Sequence, residues 1–174
     1  DIAINYGVEV PFLRPDKLSS DNSLFYDAII HALKWVEKND KKYDLVQYVY
    51  PTTPLKIKDD YLNGLELFQE KNADMVISVC EDHHTPFWSN SLPENNSLRD
   101  FIPTKYQKNR QDLPRTYRIN GCIFIAKWDV FYEKKDWFKQ NTYAYIMPEE
   151  RSVDIDTPFD FELAELYLKR KLKK

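Results

Sequence analysis

The chain has 174 residues, 43% of them hydrophobic and 30% charged, which is enough for one domain with a sizeable core. A net charge of −3 gives no general electrostatic case for nucleic-acid binding, and no apolar stretch reaches the length of a membrane span. Only three glycines are present, so there is no Gly-rich phosphate loop; Cys80 and Cys122 lie singly in apolar runs, as buried thiols of a reducing, cytoplasmic compartment do.

In chain order, residues 1–6 read as the last turns of a helix with Gly7 as its C′ residue. A helix tail without its start implies a segment upstream. Val8–Leu13 is expected as a short strand. Ser20-Asp21-Asn22 offers an N-cap, and apolar residues at 25, 29, 30, 33 and 36 predict a helix to about Glu37. After the polar turn 39–42, Leu45–Tyr50 predicts a buried strand that stops at the rigid loop Pro51-Thr52-Thr53-Pro54. Asp59 or Asp60 caps the next helix, with Leu62, Leu65 and Phe68 inward, and Met75–Cys80 is a second apolar strand. Strand, helix, strand argues for a βαβ unit and a parallel sheet.

The polar stretch 81–114 is long for a connection and is expected as a flap or dimerisation arm. Its His83-His84 pair lacks the spacing of a helical zinc site and reads as loop histidines. Tyr117–Ala126 predicts a central strand, Val130–Phe138 a short helix and Tyr143–Met147 another strand. Thr157 caps a final helix with Pro158 at its first position, and the basic run that begins at Lys169 suits the C-terminal dipole. The expected architecture is a three-layer α/β fold with a mostly parallel sheet, over residues 1–174 as one domain.

The most specific chemistry lies in Ser152-Val153-Asp154-Ile155-Asp156-Thr157. In an extended stretch, side chains two apart face the same side, so Asp154 and Asp156 can share a divalent ion. Oxygen ligands suit Mg²⁺ or Mn²⁺, which fill their shells with water and substrate phosphates. The same residues also fit a solvated turn before a capped helix. Ligands in open α/β sheets bind beyond the carboxyl ends of the strands, so the Pro51–Pro54 loop and the Asp154/Asp156 pair are expected on one rim. Arg110 and Arg118 reach that cleft if the long loop folds over it, and arginines there suit anionic groups.

Four ordered motifs resemble the acylneuraminate cytidylyltransferases, the synthetases of CMP-activated nonulosonic acids such as sialic and legionaminic acid. Arg110-Gln111-Asp112-Leu113-Pro114-Arg115-Thr116-Tyr117-Arg118-Ile119-Asn120-Gly121-Cys122-Ile123-Phe124-Ile125 resembles their RQxLPxxYRxNGAIYI run. Ser152–Thr157 resembles SVDIDT, Phe12–Asp21 resembles FLRPxxLSSD, and Tyr50–Lys56 resembles QPTSPLR. The resemblance implies a Rossmann-like nucleotidyltransferase fold, a homodimer, and a reaction in which CTP and a nine-carbon 2-keto sugar acid give the CMP-sugar and pyrophosphate. It implies Asp154 and Asp156 as metal ligands, and Arg110 as a catalytic-site arginine on the sugar carboxylate. It implies Arg14, Asp21, Asn22 and Ser23 around the cytosine, and Tyr50, Thr52, Trp88, Arg118 and Asn120 in substrate binding. The family's RxGSKxxxxKN phosphate loop has no counterpart in these residues, so residues 1–174 alone are expected not to catalyse transfer. Tyr50 in place of Gln, and Trp88 where some sialic acid enzymes have Lys, point to a bacterial sugar such as legionaminic acid. Two rival readings are a non-catalytic nucleotidyltransferase-like assembly module and a haloacid-dehalogenase-type phosphatase. The latter needs a lysine and an acidic pair, with sheet between them, after its Asp-x-Asp, where only a helix is expected here.

Overall fold

The computed structural model describes residues 1–20 and 23–171; Asp21 and Asn22, expected at a helix cap and at the nucleotide, lie outside them. Helix α1 (Ile2–Asn5) ends at Gly7, whose φ of 78° supplies the left-handed turn. The Val8 amide donates to the Ala3 carbonyl and the Gly7 amide to that of Ile4, the paired bonds of a Schellman ending. Residues 8–13 do not form the expected strand. They are extended and mostly exposed, Leu13 at 87%, and pair with no strand of the described sheet. Alternating residues favour an extended backbone but do not supply a neighbour.

Helix α2 (Phe25–Asn39) begins at Leu24, which supplies no side-chain cap. Its Ile29 and Leu33 are buried, with Tyr26 and Val36 beside them, a stripe at helical spacing. Strand β1 (Leu45–Tyr48) follows, then helix α3 (Lys58–Glu70) and strand β2 (Met75–Glu81). The inner face of α3 is Tyr61, Gly64, Leu65 and Phe68; Leu62 is half exposed, contrary to expectation. Strand β3 (Tyr117–Lys127) runs into the short helix α4 (Trp128–Tyr132), and strand β4 (Thr142–Ile146) precedes helix α5 (Pro158–Lys171). Thr157 and Asp160 cap α5 reciprocally: the Thr157 amide donates to Asp160 Oδ2 (2.8 Å) and the Asp160 amide to Thr157 Oγ1 (3.3 Å).

The sheet order is β1-β3-β2-β4. β1, β2 and β4 run one way and β3 lies antiparallel between β1 and β2, so β2–β4 is the one parallel pair of the described sheet. The sheet is therefore mixed: three strands share a direction, but β3 separates the two strands of the expected βαβ unit. Side chains alternate across it. Met75, Ile77, Phe124 and Ala126 face α2 and α4, while Val76, Ile123 and Ile125 face α3, giving helix, sheet and helix layers.

Register breaks in the middle of β3. Ile77 lies opposite Phe124 but Val79 opposite Ile119, so Ser78 alone faces residues 120–123. This bulge is closed by side chains rather than by the ladder: the Ile123 amide donates to Ser78 Oγ at 2.7 Å, and Ser78 Oγ lies 2.6 Å from Asn120 Oδ1. Such bulges bend a strand and re-aim its residues.

A buried ion pair fixes the segment after β4. Arg151 donates from two guanidinium nitrogens to Asp60 (2.7 and 3.0 Å), which also accepts from the Ile57 amide and the Tyr145 hydroxyl. Burial alone would raise the Asp60 carboxyl; these donors outweigh it and hold it below its ordinary value. Arg151→Met leaves a buried carboxylate without its counterion and is expected to cost about 3 kcal/mol in urea unfolding at neutral pH. With a depressed folded value, the contribution is full above about pH 4 and is lost as the pH falls through that lower value. The gap between parent and variant should therefore close in acid; a gap that persists there contradicts the assignment.

Candidate active site

The bulge, the end of β1 and the segment after β4 meet at one rim, past the carboxyl ends of β1 and β4 and beside Ser78 within β2. Asn120 is the join. It is 1% exposed; Ser78 donates to its Oδ1, as does the Cys122 amide (3.2 Å), and its Nδ2 donates to Ser152 Oγ (2.8 Å), which in turn donates to the Pro148 carbonyl. Asn120 therefore faces inward and positions the rim, with its Oδ1 and one Nδ2 proton engaged by the protein.

The next residue, Gly121, has a φ of 69°. A Cβ there would stand 3.3 Å from Tyr50, 3.5 Å from Asp154 Oδ2 and 3.5 Å from Thr53. Glycine is thus favoured by the left-handed turn and by the close approach of the Tyr50 ring, with Asp154 and Thr53 at ordinary van der Waals distance. Thr53 is fully buried and its hydroxyl donates to the Tyr50 carbonyl (3.0 Å). Lys56 reaches back to the Tyr50 carbonyl (2.9 Å) and to Thr53. Burial lowers the Lys56 pKa, with Cys122 and Asp154 opposing, and burial pushes the Cys122 thiol up to about 11. The Ile155 amide donates to the Thr52 carbonyl (2.9 Å), tying the exposed Thr52 loop to the Asp-x-Asp segment.

That segment alternates as expected. Val153 and Ile155 pack with Leu55 against α5, while Asp154 between them lines a cavity of about 470 Å³ with Tyr50, Gly121, Phe124 and Trp137. Asp154 Oδ1 is buried without a hydrogen-bond partner. Asp156 is exposed. An unpartnered buried carboxylate oxygen is costly unless something cationic meets it, so Asp154 fits a ligand position of a divalent ion. No group of three or more His, Cys, Asp or Glu residues among the described residues is arranged to hold a metal. Two carboxylates suit Mg²⁺ or Mn²⁺, which leave positions for phosphate oxygens.

The other expected residues are spread more widely. Tyr48, beside Tyr50, has its hydroxyl pushed up to about 12 by burial and by Tyr50, while the Arg14 charge acts in the opposite sense. Arg14 donates to the Leu18 carbonyl at 3.4 Å, and Ser23 Oγ to the Lys17 carbonyl at 3.0 Å. Trp88 lies in the loop 81–114 and donates to the Tyr106 carbonyl (3.0 Å). Arg118 is exposed on β3, opposite Cys80. Arg110 is not among the residues that line the Asp154 cavity. It lines a separate cavity of about 400 Å³ with Glu81, His83 and Arg115. The loop is held at the end of β2 by the Asp82 amide on the Thr116 carbonyl (2.8 Å) and by Arg110 on His83 (3.1 Å).

Sequence reasoning placed Asp60 at the start of α3, where it accepts from the Ile57 amide (2.9 Å), but missed its pairing with Arg151, the bonds of Ser78 and Ser152, and the role of Gly121. A glycine inside an apolar strand signals a bulge; the buried serines carry no such signal. Gly121→Ala should cost about 1–2 kcal/mol from strain and crowding. It should cost more than Gly7→Ala, which has a similar φ but nothing within 4 Å. Equal melting-temperature losses in the two variants would contradict the crowded geometry.

No protein-family model matches the chain. It is 27% identical to the pseudaminic acid cytidylyltransferase of Campylobacter jejuni, over 97% of this chain and 73% of that protein. It is 28% identical to the CMP-N,N'-diacetyllegionaminic acid synthase of Legionella pneumophila, over 95% of this chain and 71% of that protein. It is 30% identical to the N-acylneuraminate cytidylyltransferase of Streptococcus agalactiae, over 92% of this chain and 38% of that protein. With these relatives and the motifs around Arg110, Asn120 and Asp154, the chain is a homologue of the acylneuraminate cytidylyltransferases.

Proposed function

We infer that this protein is a CTP-dependent nucleotidyltransferase that activates a nonulosonic acid, yielding the CMP-sugar and pyrophosphate. The observation that carries the reading is the buried Asp154 Oδ1 without a hydrogen-bond partner, on a carboxylate whose Oδ2 lies beside Gly121. The names of those homologues cover pseudaminic, legionaminic and N-acylneuraminic acids, which supports the substrate class. Tyr50 and Trp88 favour a bacterial sugar of the legionaminic type over sialic acid within it.

In this reading the anomeric hydroxyl attacks the α-phosphorus of CTP, pyrophosphate leaves, and the hydroxyl proton passes to solvent. Asp154 and Asp156 would hold Mg²⁺ or Mn²⁺, which when bound offsets charge on the phosphates. Lys56 keeps the loop from Tyr50 to Thr53 closed against the rim, so that Tyr50 and Thr52 border the sugar. Arg14 and Ser23 stand on the side of β1 proposed for the cytosine. Arg110 binds the sugar carboxylate and Arg118 lies nearby on β3. The loop 81–114, rich in exposed apolar residues such as Leu92 and Leu98, is proposed as the arm of a homodimer. No helix among the described residues is long and apolar enough to cross a membrane, and a cytoplasmic site of action is proposed.

Asp154→Asn and Asp156→Asn are each expected to lower pyrophosphate release by at least about a hundredfold in a folded protein, the scale set by lost electrostatic stabilisation. Near-normal turnover at saturating Mg²⁺ would remove the residue from the metal site. Arg110→Ala should raise the sugar KM and leave CTP affinity unchanged, because a guanidinium pairs bidentately with a carboxylate. Loss of CTP binding with an unaltered sugar KM would overturn that role.

A further inference from the structure

His83 stands between two groups of opposite charge. Its Nδ1 lies 3.1 Å from an Arg110 guanidinium nitrogen, and its Nε2 faces the Glu149 carboxylate at 3.4 Å. A guanidinium only donates, so Nδ1 must be the unprotonated nitrogen, and the ring proton sits on Nε2 toward Glu149. Glu149 begins the short turn whose Ser152 is bonded to Asn120. The histidine thus links Arg110, on the long loop, to the segment that carries Asp154.

Charge makes the contact informative. In the same cavity Arg115 faces Glu81 at 3.9 Å, whereas Arg110 has no carboxylate within ion-pair distance among the described residues. A carboxylate partner would compete with an anionic ligand for the guanidinium. A neutral imidazole fixes the side chain and leaves its charge and remaining N–H groups free.

We propose that His83 is a positioning residue, whose Nδ1 holds the Arg110 guanidinium ready for the carboxylate of the nonulosonic acid. The proposal rests on the functional assignment above and deepens it. Arginine has many rotamers, and fixing it before the ligand arrives removes part of the ordering cost from binding.

The test compares the native polypeptide with His83→Leu, which has no acceptor, and His83→Asn, which keeps one. His83→Leu should raise the sugar KM about three- to tenfold and leave kcat and the CTP KM within about twofold, the scale of one immobilised side chain. His83→Asn should restore most of the loss. An unchanged sugar KM in the leucine variant, equal rises for both substrates, or an asparagine variant as impaired as leucine would overturn the proposal. A second arm needs no substrate. Long-range proton–nitrogen NMR should show Nδ1 of His83 unprotonated in the parent; a protonated Nδ1 in the parent also overturns the proposal. A parent that releases no pyrophosphate from CTP with any nonulosonic acid would defeat the functional assignment alone, while the NMR arm still decides the contact.

Discussion

The side-chain amide of Asn120 joins three pieces of chain that would otherwise have no reason to meet. It accepts from Ser78 on β2, donates to Ser152 after β4, and lies in the bulge of β3. Each of its bonds is buried, where an unmade bond costs the desolvation of the orphaned group. The bulge and the segment around Ser152 therefore hold each other in place. Gly121 then brings Tyr50, Thr53 and Asp154 within van der Waals reach of one backbone position. The rim is a consequence of this join more than of the ladder hydrogen bonds.

Two carboxylates near this join show how satisfaction separates scaffold from site. Asp60 is fully buried and accepts four donors, from Arg151 twice, Ile57 and Tyr145. Its charge is fully answered by the protein, and its work is to pin the start of α3 to the segment before Asp154. Asp154 has a buried oxygen with no donor at all. The fold thus answers one carboxylate completely and leaves an oxygen of the other open three residues from Arg151, which is why the proposed cation is assigned to Asp154 and not to Asp60.

Much of this was legible in the sequence, for physical reasons that differ by element. The second half of β3, residues 122–126, announces itself as an unbroken apolar run and β2 as one broken only by Ser78, because both faces are covered there, and α5 by Thr157, Pro158 and Asp160 at its start. Strand direction is not written in a strand's own residues, so the insertion of β3 between β1 and β2 was not readable. Residues 8–13 alternate like a strand but lack a partner among the described strands. The Asp154 and Asp156 pair was visible through its spacing and its motif. Ser78 and Ser152 were not, because a small polar residue gains its role only from what it meets in three dimensions. Arg110 was visible as a charge, yet the separate cavity it lines depends on the path of a loop that has no periodic pattern.

The most direct measurement of the central claim is the identity of the product. The native polypeptide would be incubated with CTP, Mg²⁺ and, separately, pseudaminic, legionaminic and N-acetylneuraminic acids, and the mixtures resolved by mass spectrometry. The account predicts a CMP ester of at least one of these acids, formed together with pyrophosphate and absent when either CTP or the sugar is withheld. CTP hydrolysis without transfer, or no CMP ester from any nonulosonic acid, would contradict it.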